Sequence, residues 1–164
     1  MLDALGTALR GPAWLGAITR HALAIRPPAG FVGDQVVDAS GDQRPALDLR
    51  TRGLPPLVAL GRWVAVLTGE GPRTTPDRLR RAGDVGLLTA AESAALVAAH
   101  TQIFSLLVER EIELIQAGSP TTAPIDVAAL DTATRRRLRE AFRSISRVQV
   151  TLAQDWPARV AALR

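Results

Sequence analysis

The sequence predicts a mainly α fold: a helical bundle with a short, irregular β-hairpin-like insertion near residues 31–50. Apolar residues recur at helical spacing in most segments between the prolines and glycines, whereas residues 31–50 are rich in β-branched and turn-forming residues. Hydrophobic residues make up 47% of the 164 positions, enough for one domain with its own core. We therefore expect a single helical domain over residues 1–164, in which residues 1–11 form a linker or a helix that leads into the bundle.

Two shorter helices flank the insertion. Residues 12–26 form the first, because five apolar side chains share one helical face before Pro27-Pro28 ends the helix: Trp14, Leu15, Ile18, Ala22 and Ile25. The insertion contains the turn signal Ser40-Gly41-Asp42. The second helix follows Gly53, with Pro55 or Pro56 in its first turn and Arg62 opposite an apolar stripe of Leu57, Leu60, Val64 and Leu67. A third helix is predicted to begin with Thr75 as N-cap and Pro76 at the first helical position.

Two long helices complete the predicted bundle. Thr89 and Glu92 form a capping box, and the helix that they open runs to about Gln116, with Leu96, Ile103, Leu107 and Leu114 at near-heptad spacing. The last helix begins near Asp131, and we expect Pro157 to kink or end it, so that residues 153–164 form a C-terminal helical tail. Its apolar face consists of Leu138, Phe142, Ile145, Val148 and Leu152.

The composition excludes several classes of protein. The 20 basic residues are all arginine, and the chain lacks lysine, tyrosine and cysteine. Since few groups titrate between neutrality and the arginine pKa, a net charge of only +4 is enough to give a pI near 11.2. Without cysteine there is no disulfide, thiolate zinc site or Cys nucleophile. Charged residues interrupt the apolar stretches and the N-terminus lacks a signal-peptide core, so we expect a cytoplasmic protein that contacts no membrane.

Four arginines form a stripe on the last predicted helix: Arg136, Arg139, Arg143 and Arg147. The stripe is either an anionic-partner face or a solvated surface, partly neutralised by Arg136 with Glu140 and Asp131 with Arg135. No aromatic residue interleaves with these arginines, so we expect no nucleic-acid partner.

No catalytic or metal-binding motif is recognisable, and phosphate-cradling glycine motifs are absent as well. Of Glu109, Glu111 and Glu113 only the first and last share a helical face, and no histidine completes a metal site. His100 lies on the apolar stripe of its helix, which favours a hydrogen-bonded core or interface histidine over a catalytic one. We therefore predict no catalytic residue and no metal ligand in this chain.

A set of short motifs follows in fixed order between the first and second helices. The segment contains Pro27-Pro28, Gly30-Phe31, Val36-Val37-Asp38, Gly41-Asp42-Gln43, Leu47-Asp48-Leu49-Arg50, Arg52-Gly53-Leu54 and Pro56. The stretches TTPDRLRRAGDVGLLTAAESAALV (74–97) and LREAFRSISRVQ (138–149) continue the pattern. Over residues 12–152 the chain resembles the putative nucleotidyltransferase substrate-binding domain family. Its members are helical domains that follow a nucleotidyltransferase domain similar to PII-protein uridylyltransferases, often in proteins with CBS and cyclic-nucleotide-binding domains.

The resemblance implies a non-catalytic accessory domain that positions an acceptor or nucleotide beside a separate catalytic domain, in cis or in trans. Magnesium and NTP would bind in that partner domain and this chain would hold no cofactor, while the acceptor would be a protein or a small molecule. The residues facing the catalytic domain or its substrate would be Arg44, Asp48, Arg50 and Arg52. The alternative for Asp48 and Arg50 is a local salt bridge.

The chain departs from the family pattern at several positions. Arg50 stands where lysine is usual, Ala59 where an acidic residue is expected, and Glu109 and Glu111 lie in a region usually rich in Arg, His and Gln. Thr121, Thr122 and Ala123 replace an Asp-Asn-aromatic segment. These departures leave the substrate open, and the other functional hypothesis is a stand-alone helical interaction or dimerisation module, a homodimer without nucleotide binding.

Overall fold

The computed structural model describes residues 11–69, 71, 73–120 and 124–163. In these ranges the chain forms a mainly α bundle with a short strand insertion, which confirms the predicted fold class. The helices are α1 (Pro12–Ala24), α2 (Pro55–Thr68), α3 (Thr75–Asp84), α4 (Ala90–Gln116) and α5 (Thr132–Ala161). The strands are β1 (Gly30–Val32), β2 (Gln35–Val37), β3 (Gln43–Arg44), β4 (Ala46–Leu47) and β5 (Ile125–Asp126). Residues 1–10 of the predicted leading segment lie outside the described residues, and Gly11 is the N-cap of α1.

Each helix packs on the next one along the chain, and α5 returns to contact α1 and α2, so that one core lies between the helices. The apolar faces predicted for α2 and α5 point into this core, and Arg62 is exposed as expected. On α4, Leu96, Ile103 and Leu114 are buried, whereas Leu107 is only partly buried. A buried hydrogen bond of 2.9 Å from Trp63 Nε1 to Thr19 Oγ1 joins α1 to α2.

The insertion contains more strand pairing than the predicted hairpin. Strands β1, β2 and β3 form an antiparallel meander, with Phe31 opposite Val36 and Val36 opposite Arg44. Its two turns use Gly33 and Gly41 at φ angles of +54° and +94°, which favour glycine. Phe31 and Val36 are buried, and the Phe31 ring lies 6.3 Å from that of Phe142 on α5, so the meander packs on the last helix.

A second pairing joins segments far apart in the sequence. Strand β4 pairs antiparallel with β5, so that Leu47 lies opposite Ile125 and both side chains are buried. This pair was not predicted from the sequence, because each strand has only two residues and its partner is remote. Residues 121–123, which replace the Asp-Asn-aromatic segment of the family pattern, lie outside the described residues.

A π-helical turn, Leu49–Gly53, connects β4 to α2. The Asp48 carboxylate caps the turn by accepting hydrogen bonds from the backbone N–H groups of Arg50 (2.9 Å) and Thr51 (3.3 Å). Gly53 lets the turn approach α4 closely, because a Cβ at this position would lie 3.0 Å from both Ile103 Cγ2 and Leu49 Cδ2. The turn is therefore fixed by a cap on one side and by contact with α4 on the other.

Three predicted helix boundaries differ from the observed ones, and the first is the end of α1, which lies at Ala24 and not at residue 26. The N-cap of α3 is Thr74, one residue before the predicted Thr75, because the Thr74 hydroxyl accepts from the Asp77 N–H at 3.3 Å. Helix α5 continues through Pro157 to Ala161, so residues 153–161 belong to one continuous helix and Pro157 does not end it. The capping box of Thr89 and Glu92 is present as predicted.

Helix α4 is long and apolar enough to cross a membrane when judged by length and composition alone. Its most apolar window has a mean hydropathy of 1.3 with 22% of the window buried, and a single helix of this kind is weak evidence, because a core helix passes the same test. In the structure α4 packs against α3 and α5. The prediction that the protein contacts no membrane therefore stays a prediction.

Candidate functional site

The four residues predicted to face a catalytic domain or its substrate fall into two groups in the structure. Arg44 and Arg52 converge on Asp38, whereas Asp48 and Arg50 lie at the π-helical turn. Asp38 is only 8% exposed, and its Oδ2 atom accepts from Arg44 Nε at 3.1 Å and also forms an ion pair with Arg52 Nη1. The sequence motif Val-Val-Asp thus supplies the carboxylate that orients two of the predicted arginines.

An open groove of about 390 Å³ lies beside this cluster. We call it the arginine groove, and its charged and polar lining residues are Arg26, Asp38, Ser40, Asp42, Arg44 and Arg52. Pro27 and Pro28 line it as well and are buried, which makes this part of the wall rigid. Arg26 was not singled out from the sequence, although its position directly before the two prolines was a signal that could have found it.

The position of the proline pair is set by a contact with the last helix. Gln149 on α5 is fully buried, and its Nε2 atom donates to the Ile25 carbonyl at 2.8 Å, just after α1 ends. Among the described residues the Gln149 Oε1 atom has no hydrogen-bond partner. Because this one bond joins the end of α1 to α5, Gln149 fixes the wall of the arginine groove without lining it.

Arg50 extends away from Asp38 and reaches helix α4. Its Nε atom donates to Glu111 Oε1 at 3.0 Å, so its guanidinium is not in a local salt bridge with Asp48, whose carboxylate caps the turn instead. Both members of this pair depart from the family pattern. Arg50 stands where lysine is usual, and Glu111 lies in a region usually rich in Arg, His and Gln. Arg50 keeps the positive charge of the usual lysine, and Glu111 supplies a carboxylate that pairs with it. Ala59, another departure, is buried in α2.

The arginine stripe of the last helix is not uniform. Arg136, Arg143 and Arg147 are exposed, whereas Arg139 is partly buried and lies over the Phe31 ring at 6.0 Å from its centroid. The predicted pairing of Asp131 with Arg135 is wrong. The Asp131 carboxylate accepts from the Thr134 N–H at 2.9 Å. The Arg135 guanidinium donates instead to Asp34 Oδ1 at 2.9 Å and to the Gly33 carbonyl at 3.0 Å. Arg135 therefore ties the β1–β2 turn to α5.

Two further grooves, of about 280 and 270 Å³, lie side by side between α4 and α5. They share Leu106, Glu109 and Thr134, and the sequence did not mark them as a site. Of the three glutamates on α4, Glu109 lines both grooves, Glu111 pairs with Arg50, and Glu113 pairs with Arg110 at 3.0 Å. The three carboxylates therefore do not form one cluster.

His100 is partly buried rather than a hydrogen-bonded core residue. Its ring stacks on Phe104 at a centroid distance of 5.8 Å, and burial lowers the pKa of its imidazole. Phe104 begins a stripe of apolar side chains on α4 that are exposed: Phe104, Val108, Ile112 and Ile115. We call this set the α4 apolar stripe. It lies on the face of α4 that is turned away from the buried Leu96, Ile103 and Leu114.

The arginine groove presents N–H donors of the kind that suit an anionic group. Guanidinium groups donate paired N–H bonds to oxyanions, and a nearly buried carboxylate holds two of these groups in place. Within the ranges that the structure describes, no three His, Asp or Glu side chains lie close enough together to hold a metal ion.

The fold and the groove define a helical domain in which several of the sequence motifs line one arginine-rich surface. A family model with the description "putative nucleotidyltransferase substrate binding domain" matches residues 12–156, and the chain belongs to this family. Membership implies association with a nucleotidyltransferase catalytic domain. Searches of the curated proteins and of the solved structures each gave no match.

Proposed function

We propose that this chain is the accessory domain of a PII-uridylyltransferase-like nucleotidyltransferase and that its arginine groove positions an acceptor or a nucleotide beside the separate catalytic domain. The observation that carries the proposal is the convergence of distant motif residues. Pro27-Pro28, Asp38, Asp42 and Arg52 belong to four separate motifs of the sequence, and all of them line one groove together with Arg44. Residues that served only the core would not need to meet at an open, charged surface.

Positioning is sufficient for such a role. A domain that holds one reactant in the correct place converts an encounter of two molecules into a reaction within one complex, and a misplacement of 1 Å can cost about a hundredfold in rate. Magnesium and NTP would bind to the catalytic domain, and the groove would contribute guanidinium donors and a rigid wall. The protein would act in the cytoplasm, with the catalytic domain in cis or in trans.

The test is nucleotidyl transfer by the catalytic domain that accompanies this chain. We expect the double substitution Arg44→Gln, Arg52→Gln to lower kcat/KM by about tenfold to a hundredfold, because both changes remove charge-assisted contacts to a positioned substrate. Glutamine can still donate an amide N–H to Asp38, which limits the loss of stability. Transfer rates measured over a range of acceptor and nucleotide concentrations show which reactant is affected.

The control is Arg136→Gln, Arg143→Gln, which removes the same charge from two exposed positions on α5. This variant should retain its kcat/KM within about twofold. Equal rates for the groove variant and the wild-type protein would contradict the proposal. An equal loss in both variants would assign the effect to net charge instead of to the groove.

A second candidate function is an interaction module that forms a homodimer, and the α4 apolar stripe favours it. Four apolar side chains are exposed along one face of a 27-residue helix, with Ile115 at 65% exposure. Contiguous exposed apolar surface of this kind is typical of interaction sites. Its spacing of four, four and three residues suits packing against another helix.

A further inference from the structure

We propose that the arginine groove binds a phosphate group, held by the guanidinium groups of Arg26, Arg44 and Arg52. The proposal deepens the proposed function, on which it rests for the statement that the phosphate belongs to a reactant of nucleotidyl transfer. It names a ligand chemistry that two reactants can supply: the phosphates of a nucleotide or a phosphate ester on the acceptor.

Most of the donors in the groove remain unused. A guanidinium group carries five N–H donors, and the structure occupies Arg44 Nε and one nitrogen of Arg52 with Asp38. Among the described residues Arg26 has no hydrogen-bond or ion-pair partner and is exposed at the groove wall. The side chains of Arg44 and Arg52 are 51% and 36% exposed, so their free nitrogens are accessible to a ligand.

Asp38 holds Arg44 and Arg52 in place before a ligand binds. Asp38 is fixed on both sides, because its N–H donates to the Asp42 carbonyl at 2.8 Å and its own carbonyl accepts from the Gly41 N–H at 2.9 Å. A carboxylate anchored in this way holds Arg44 and Arg52 together, so less side-chain entropy is lost when an anion binds. Asp38 therefore acts as a positioning residue for the two guanidiniums.

The charge balance favours a compact anion with several oxygens. Three arginines line the groove together with the carboxylates of Asp38 and Asp42, and Asp42 accepts a hydrogen bond from Ser40 Oγ at 2.9 Å. The groove thus has a net charge of only +1, three positive minus two negative, and its binding strength would come from directed N–H donors. A phosphate presents three terminal oxygens to three guanidiniums, whereas a carboxylate presents only two. Among the residues that the structure describes, no aromatic side chain lines the groove to stack on a nucleic-acid base.

The experiment is calorimetric titration of the chain at about 0.1 M salt, a concentration that screens long-range attraction. The probes are inorganic pyrophosphate, ATP, UTP and glycerol 3-phosphate, with sodium acetate as the carboxylate comparison. We expect saturable binding of the phosphate compounds and much weaker binding of acetate. The double substitution Arg44→Gln, Arg52→Gln should weaken phosphate binding at least about tenfold.

Two further variants keep the test decisive. Arg26→Gln changes an exposed residue without a partner, so the fold should be unaffected while phosphate affinity falls about threefold to tenfold. Arg136→Gln, Arg143→Gln removes equal charge elsewhere and should bind as the wild-type chain does. Tighter binding of ATP and UTP than of glycerol 3-phosphate would assign the phosphate to the nucleotide, and the reverse order would assign it to the acceptor.

Three results would overturn the proposal: no saturable binding of any phosphate compound, equal binding of acetate, or an equal loss in the α5 control variant. These results are separable from failure of the proposed function. If groove substitutions impair nucleotidyl transfer but no phosphate binds, the groove positions a reactant by other contacts. If phosphate binds but transfer is unchanged in the groove variants, the accessory role is wrong and the anion site remains.

Discussion

Glu92 shows how much a single side chain can connect in this fold. Its carboxylate accepts from the Thr89 N–H at 2.8 Å, which completes the capping box of α4. It also receives two hydrogen bonds from Arg159 near the end of α5, at 2.6 and 3.0 Å. Arg159 in turn contacts Asp155 at 2.8 Å and the Leu87 carbonyl at 3.1 Å. One residue pair thus joins the start of α4 to the end of α5.

The pair predicts a pH-dependent stability. Burial raises the pKa of Glu92, but the hydrogen bonds from Arg159 and Thr89 outweigh it and hold the pKa below the ordinary value of 4.5. When the pKa of a carboxyl group is lower in the folded state than in the unfolded state, the group stabilises the fold at pH values above its pKa in the unfolded state. This stabilisation is lost as the pH falls through the pKa of the group in the folded state.

We expect Glu92→Gln to lower the free energy of unfolding by about 1–2 kcal/mol at pH 7, because glutamine keeps the cap to Thr89 but loses the charge opposite Arg159. Urea unfolding measured between pH 3 and pH 7 should show this difference as constant near neutrality and shrinking below about pH 4.5. Glu140→Gln, at an exposed position on α5, is the control. A difference that stays the same at all pH values would contradict the role of the ion pair.

Single arginines also show where sequence reasoning ends. The helical spacing placed Arg136, Arg139, Arg143 and Arg147 on one face, but it could not show that Arg139 covers the Phe31 ring. Likewise the sequence marked Arg44 and Arg52 but not Asp38, which holds them both. Spacing fixes the direction of a side chain on its own element. The partner on another element depends on tertiary packing, which the sequence does not display.

At the scale of elements, the π-helical turn Leu49–Gly53 carries two of the predicted site residues in different directions. Arg50 extends to α4 and Arg52 to Asp38, and the Asp48 cap fixes the backbone from which both project. Leu47 and Leu49, which alternate with Asp48 and Arg50 in the sequence, are both buried. The turn itself was not predicted, because π-helical turns are rare and depend on contacts such as that of Gly53 with Ile103.

Removing the cap should loosen this turn without unfolding the bundle. We expect Asp48→Ala to destabilise the turn by about 1 kcal/mol, since the Arg50 and Thr51 N–H groups lose their acceptor. Amide hydrogen exchange at these two residues should accelerate about fivefold, while amides in the middle of α4 stay protected.

Asp48→Asn is the matched control, because an asparagine side chain can also accept from the two N–H groups and should retain most of the protection. If alanine and asparagine had the same small effect, the turn would be held by its contact with α4 and not by the cap.

The predictability of the elements follows from their length. Long helices with caps, such as α4 and α5, were recognised with starts within a residue of those observed, because many side chains report the same period. The β4–β5 pair could not be found, since two residues per strand carry no period. Helix α5 does not end at Pro157, because it packs on four elements and continues past one missing hydrogen bond.

At the scale of the whole molecule, the arginine groove and the α4 apolar stripe are separate surfaces with opposite chemistry. The groove offers guanidinium donors, whereas the stripe offers Phe104, Val108, Ile112 and Ile115. At 100° per residue, Glu109 and Glu111 fall on the two edges of the stripe. Glu111 is paired with Arg50, but the charge of Glu109 disfavours contact with an anionic lipid surface, and we propose that a second copy of this chain covers the stripe.

This assignment predicts weak self-association. The apparent mass of the chain in analytical ultracentrifugation should rise from monomer to dimer as the concentration increases. Ile112→Glu should keep the chain monomeric, because it places a charge in the middle of the apolar contact. Val66→Glu makes the same change at another exposed aliphatic residue, on α2, and should leave the association unchanged. A wild-type chain that stays monomeric at all concentrations would contradict the proposal that a second copy covers the stripe. If the wild-type chain binds zwitterionic lipid vesicles and Ile112→Glu abolishes this binding, the stripe contacts a membrane surface instead.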